Sequence, residues 1–279
     1  MVRIIGDTTS GLTLDQAKAM GIEYIPQLVI FGEQTYRDDT EIDSETFVKK
    51  LNESTVLPKT AAPPPSLYNP IFQDMIEKGD CGIVICPSAQ LSGTVRSATT
   101  ALEDFPSLDV RIIDTKQIGG NQAILLELAK KWADEGKTLD EIEALVREKM
   151  SHAKIYGIVD TLEYLYKGGR IGGASKFLGE ILQIKPILTV IDGKIESSEK
   201  QRTKKKALSR VMELIQSECK DYQNAFFTLG ITADNPDIPF LKEEFKKHFN
   251  AENIPLLNLP PAIMVHAGPS TIIFSFFTE

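Results

Sequence analysis

CGIVICPSAQLSGTVRSATTALEDFPSLDVRIIDT, residues 81–115, carries the pattern that sets the architecture. An unbroken apolar run, CGIVICP, gives way to a small polar loop, then to a helical stretch, then to a second apolar run, DVRIIDT. Apolar runs without alternation suit strands covered on both faces, and a helix between two of them lets the chain cross over and return in parallel. The same order continues outward. Upstream, VRIIGD reads as a strand and TLDQAKAMG as a helix closed by Gly21. IEYIPQLVIFGEQTYRD reads as extended chain turning at Gly32, and SETFVKKLNES and PSLYNPIFQDMIEKGD read as helices. Downstream, GGNQAILLELAKKWADEG and TLDEIEALVREKMSHA are helical. Strands separated by helices predict a parallel sheet with helices on both faces.

The remainder has another rhythm. KIYGIVD and ILTVIDGKIES are strand-like, the latter a hairpin through Asp192-Gly193. AFFTLGIT, IMVHAG and TIIFSFF read as further strands, and the evident helices fall near 203–217 and 238–249. The expected fold class is therefore α/β in two domains. Residues 1–151 form a parallel-sheet α/β domain and residues 152–279 an α+β domain with a mixed or antiparallel sheet.

Bulk properties narrow the function. The 279 residues are 42% hydrophobic, enough for substantial cores, yet no stretch is the roughly 20-residue apolar span of a membrane helix. The opening MVRIIGDTTSG starts directly as a strand without the features of a signal peptide, so a soluble intracellular protein is expected. Of Cys81, Cys86 and Cys219, the first two flank or lie in an apolar strand and read as buried thiols, and His152, His248 and His266 are too few for a histidine-rich metal centre. A net charge of −8 argues against general nucleic-acid binding. The basic run EKQRTKKKALSR reads as a solvated helix start.

Small polar residues collect where three apolar strands end: Thr8, Thr9 and Ser10; Ser88, then Ser92, Gly93 and Thr94; Thr115 and Lys116. In a parallel sheet these ends share one edge, where ligands bind, and helix starts leave N–H groups free for an anion. Each hydroxyl alone is an ordinary cap; three convergent sets suit a carboxylate or phosphate. His266 is the histidine with a site-like setting. A Ser92–His266 pair is readable either as a hydrolytic dyad or as two donors to one carboxylate. The chain has no G-x-S-x-G elbow, and the binding role is preferred.

EYLYKGGRIGGASKFLG, residues 163–179, suggests a phosphate loop. From Gly168 the spacing reaches Gly173, but Ala174 and Ser175 stand where a Walker loop needs Lys and Ser/Thr. A nucleotide-binding reading thus loses its lysine. What remains is a helix ending at Gly168, Arg170 in a rigid turn suited to a carboxylate or phosphate, and a further helix. The apolar face of Phe177, Leu178, Ile181, Leu182, Ile184 and Ile187 is readable as cavity wall or as core.

YLYKGGRIGGASKFLGEILQIKPIL resembles the signature of the bacterial DegV family of fatty-acid-binding proteins. VRIIGDTTSGL is similar to that family's opening strand end, PKTAAPPPSLY to its Lys-Thr-Ser-x-Pro segment, LSGTVRSA to its Leu-Ser-Gly-Thr motif and VHAGP to its His-x-Gly-Pro close. The motifs occur in order across nearly the whole chain. The resemblance implies a cytoplasmic, non-enzymatic carrier without a cofactor, holding one long-chain fatty acid largely within the second domain. Thr60, Ser92 and His266 would bind the carboxylate, with the Gly93 backbone nearby. Arg170 would serve docking of a fatty acid kinase, which makes the acyl phosphate for phospholipid metabolism. Membrane contact would be transient at most. Ala61 and Ala62 depart from the family's serine after Thr60, Pro87 and Ala89 from its serine-richer loop, and Ser270 from its Gly-Pro-Gly run. A serine esterase or thioesterase using Ser92 and His266 is the alternative.

Overall fold

The computed structural model describes residues 1–179, 184–219, 226–232, 234–251 and 255–278. Its first layer is a four-stranded sheet in the order Glu23–Ile25, Val2–Asp7, Cys81–Cys86, Val110–Asp114. Every pairing in it is parallel. Successive residues of the central strands bury on opposite faces, as a strand requires. Ile4, Ile83, Ile85 and Ile113 pack against helices Gly120–Asp134 and Leu139–Met150. Ile5, Val84 and Cys86 pack against helices Asn69–Lys78 and Thr94–Glu103. The doubly covered parallel sheet expected from residues 81–115 is present.

Residues after 152 build a six-stranded sheet in the order Lys194–Gln201, Lys185–Ile191, Ala153–Ile158, Ile272–Phe277, Phe227–Ile231, Leu256–Asn258. Its pairings are antiparallel except the last, so the sheet is mixed as expected. Asp192 and Gly193 both take positive φ in the hairpin, the geometry a two-residue turn needs. Helices Lys204–Glu218 and Ile238–Phe249 cover one face through Val211, Ile215, Leu241 and Phe245. On the other face, a Cβ on Gly120 would collide with Thr228 and Ser275, so the start of helix Gly120–Asp134 lies directly against this sheet.

A third sheet joins Gln34–Arg37, Leu28–Phe31 and Lys59–Ala61 in antiparallel order. The hairpin at Gly32 is legible in the sequence; the short strand Lys59–Ala61 is not. Among the described residues no helix is long and apolar enough to cross a membrane. The cysteines are free thiols. Two cations of the basic run at 200–210 are paired locally: Lys204 with Asp160 and Asp237, and Arg210 with Glu199 and Glu213.

Three local expectations change. IMVHAG is not a strand but the end of helix Pro261–Ala267, whose residues 261–265 are all buried. An apolar run of this length fits a buried strand or a buried helix equally, and Pro261 at the first helical position favours the helix. Gly168 ends helix Glu163–Lys167 with ordinary φ, and Gly169 is the residue with positive φ. Beyond Arg170 the chain forms the 3₁₀ helix Gly172–Phe177; Ile181 and Leu182 lie outside the described residues.

Candidate ligand-binding site

Thr60, Ser92, Gly93, Arg170 and His266 line one cavity of about 120 Å³. Each arrives on a different local device. Thr60 lies on strand Lys59–Ala61, opposite Val29. Ser92 and Gly93 precede helix Thr94–Glu103, Gly93 being its N-cap. His266 occupies the last turn of helix Pro261–Ala267, and Arg170 follows the turn after helix Glu163–Lys167.

Thr60 Oγ1 and His266 Nε2 are 2.7 Å apart. The opposite ring nitrogen, Nδ1, is buried without a partner and faces Gly168, where any Cβ would overlap it. A bare lone pair fits against that backbone better than an N–H, which assigns the ring proton to Nε2. Burial, helped by the positive Arg170, pushes His266 down from 6.5 to about 4. Near pH 7 the ring is therefore a neutral donor. The Ser92 hydroxyl pairs with Thr94 Oγ1 at 2.8 Å. Ser92 and His266 thus share a cavity but take other partners, and no carboxylate orients Nδ1 among the described residues. The hydrolytic-dyad geometry is not formed in this arrangement.

A buried polar network backs the cavity. Gln27 Nε2 donates to Thr94 Oγ1 at 2.9 Å and to Asp7 Oδ1 at 3.1 Å. Asp7 also accepts from the Thr9 amide and hydroxyl and, at 2.9 Å, from Gln122 Nε2. Asp7 is 1% exposed, and burial raises its carboxyl pKa above the usual range. Of the hydroxyls gathered at the strand ends, Thr9 and Ser92 line the cavity. Ser88 instead donates to Gly193 O and Thr115 to Cys86 O, so those two are structural. The departure at Ala62 places a methyl in the cavity wall. Ser270 uses its carbonyl to accept from Lys204.

Arg170 serves two sides. Its Nε donates to Leu91 O at 3.1 Å and a terminal nitrogen to Gly168 O at 2.6 Å. The side chain lines both the cavity and an open outer groove that includes Lys59 and Lys167. The nearby glycines serve close approach. A Cβ at Gly172 would strike Ile195 O, and one at Gly173 the Glu196 carboxylate. Gly172 also has φ of +50°, a strained value for other residues.

An adjoining apolar cavity of about 60 Å³ is lined by Ile155, Val159, Leu188 and Val190 among others. It shares Ile118, Leu165, Ile195, Ala267 and Ile273 with the polar one. Its walls are mostly sheet residues, and the described residues of the apolar face at 177–187 take the core reading. Ile187 belongs to the core beneath helices Lys204–Glu218 and Ile238–Phe249, and Phe177 and Leu178 pack beside Val159 and Leu162. Sequence reasoning missed Gln27 and Gln122; the one available signal was an uncharged amide interrupting an otherwise apolar run.

Hydroxyl and imidazole groups line one of these two cavities, and the other is almost wholly apolar. The chain belongs to the DegV family: the model of that family, described as "Uncharacterised protein, DegV family", matches residues 1–279. A DegV domain-containing protein of Halalkalibacterium halodurans is 31% identical, the alignment covering 100% of this chain and 99% of that one. Among solved structures, a DegV family protein from Thermus thermophilus, described with fatty acid binding, has TM-score 0.91 at 27% identity, covering 100% and 99% of the two chains. DegV of Bacillus subtilis, described as a fatty acid binding protein, has TM-score 0.89 at 25% identity with the same coverage.

Proposed function

We propose that this protein binds a long-chain fatty acid and presents it to a fatty acid kinase. The observation that supports the binding step is the set of residues common to the polar and apolar cavities, which puts an apolar wall beside the hydroxyl groups. Thr60 and Ser92 hydroxyls and the Gly93 backbone hold the carboxylate, and His266 takes part through Thr60, donating from Nε2 to its Oγ1. With Nε2–H directed at Thr60 Oγ1, the Thr60 hydroxyl is free to donate outward. Residues 1–151 supply the hydroxyl end, and residues 152–279 enclose the acyl chain and contribute His266. Each methylene leaving water contributes about 0.8 kcal/mol, so the tail dominates affinity while the donors fix its direction. The fatty acids described for the Thermus thermophilus and Bacillus subtilis relatives support this assignment.

Mass spectrometry of lipid extracted from purified protein is expected to show fatty acid; none, bound or exchangeable, would sink the proposal. Thr60→Val removes a hydrogen bond to a charged head and is expected to weaken binding about 10- to 100-fold. An unchanged affinity in a fluorescent fatty-acid displacement assay would remove Thr60 from the site. Turnover of acyl esters lost in Ser92→Ala would instead support the esterase reading.

The kinase step rests on the family resemblance and on the position of Arg170 between cavity and outer groove. The kinase supplies the nucleotide, and this chain supplies a carboxylate oriented for phosphoryl transfer at a cytoplasmic site feeding phospholipid metabolism. Arg170→Ala is expected to leave fatty-acid affinity within a few-fold while acyl-phosphate formation by the partner kinase falls at least tenfold. Equal loss of both would assign the arginine to the pocket.

A further inference from the structure

Gln27 enters the wall of the hydroxyl-bearing cavity from the turn between strands Glu23–Ile25 and Leu28–Phe31. It is 3% exposed, and its backbone is clamped from both sides. Its N–H donates to Thr8 Oγ1 at 2.9 Å, and its carbonyl accepts from the Asp38 amide at 3.1 Å. The side-chain nitrogen has two hydrogens, and both are committed, one to Asp7 Oδ1 and one to Thr94 Oγ1. The reverse orientation of the amide would set its oxygen against Asp7 Oδ1, which already accepts from the Thr9 amide.

Those two bonds fix the direction of the next ones. A hydroxyl has one hydrogen and two lone pairs. Thr94 is 1% exposed, and its Oγ1, having accepted from Gln27, has its hydrogen left for its other partner, Ser92 Oγ at 2.8 Å. Ser92 Oγ also accepts from the Thr94 amide at 3.3 Å. Both lone pairs of Ser92 Oγ are then occupied, and what it still offers the cavity it lines is its hydrogen. The Thr60 hydroxyl, accepting from His266 Nε2, also has its hydrogen left over. Hydroxyls set to donate suit a head that only accepts, which is an ionised carboxylate. A head with a hydrogen of its own finds no acceptor in Ser92.

We propose that Gln27 is a positioning residue which, through Thr94, holds Ser92 as a donor and so makes the cavity select a carboxylate over an uncharged hydroxyl on the same tail. This deepens the fatty-acid reading and rests on it. Without the Gln27 amide, Thr94 Oγ1 has a free lone pair, and Ser92 turns its hydrogen back to Thr94 in competition with the ligand. The bond to the carboxylate weakens. An alcohol loses little, because a Ser92 oxygen freed to accept suits its O–H.

The test is displacement of a fluorescent fatty acid from delipidated protein by palmitic acid and by hexadecanol, which share a tail. It compares wild type with Gln27→Met, a variant of similar length with no side-chain donor. Wild type is expected to favour the acid, and Gln27→Met to weaken the acid about tenfold while the alcohol stays within about twofold. A loosened pocket would weaken both ligands together, so equal loss overturns the proposal, as does an unchanged preference. Should Gln27→Met fail to fold, wild type still decides: the Gln27 side-chain amide resonances are expected to shift more with the acid than with the alcohol, and equal or absent shifts overturn the proposal. A wild type that binds no palmitic acid fails the fatty-acid reading and this inference together. One that binds it, with a preference indifferent to Gln27→Met, fails this inference alone.

Discussion

Asp7→Ala is expected to destabilise the protein by about 3–5 kcal/mol, because it orphans several buried donors together. Asp7 ends the first strand and accepts from the Thr9 amide and hydroxyl, from Gln27 and from Gln122. Alanine removes every one of those acceptors. Gln27 keeps its bond to Thr94 Oγ1, and Gln122 keeps the one to Ile85 O, but each loses a buried partner. Asn at position 7 retains one acceptor oxygen but turns a second donor toward groups that already donate, so its cost falls between wild type and Ala. Since Gln27 also fixes Thr94, and Thr94 fixes Ser92, the hydroxyl end of the cavity loosens with the network. Urea unfolding at pH 7 measures the effect. A loss below about 1 kcal/mol for Asp7→Ala would mean that the surrounding amides find other partners.

How far the sequence carries this molecule depends on how local the physics is. The parallel sheet is legible because CGIVICP and VRIID bury both faces, which leaves no alternation to confuse the reading. The Asp192-Gly193 hairpin is legible because two successive positive φ values need particular residues. Thr60 was reachable only through resemblance. KTA is too short for any period, and its strand forms only because Leu28–Phe31 offers an edge. IMVHAG lacks a distinguishing period, and the packing of Ile263, Met264 and Val265 with Val29 and Phe47 settles its conformation tertiarily. The glycine-arginine loop shows the same division. Spacing alone excludes a phosphate loop, but what the glycines do is fixed by partners distant in sequence: His266 for Gly168, Ile195 for Gly172, Glu196 for Gly173. The apolar face at 177–187 leaves cavity wall and core both open for a related reason. Hydrophobic residues at 177–187 announce burial, and only the sheet's packing determines which face meets a core and which a cavity.

Lowering pH is expected to narrow the stability gap between wild type and His266→Gln by about 2 kcal/mol between pH 7 and pH 5. The folded ring titrates at about 4, against 6.5 for an ordinary histidine. Between those values the unfolded chain takes up a proton that the native state refuses, so the native contribution is whole above pH 6.5 and declines as pH falls toward 4. Below 4 the native ring protonates too and the decline levels off. The variant lacks this titration, which is why the difference between the two proteins, and not the wild-type profile, isolates it. Asp38 acts in the opposite sense: its carboxyl is raised to about 7, so its contribution is present at low pH and is lost as pH rises toward 7. The two slopes oppose each other through the same window and leave the wild-type profile flatter than either group alone would make it. Paired urea titrations on delipidated protein at pH 7, 6 and 5 give the required differences, since a bound carboxylate beside Nε2 would itself favour the protonated ring. A gap that does not change with pH would show that His266 titrates normally and that neither its burial nor Arg170 holds it neutral.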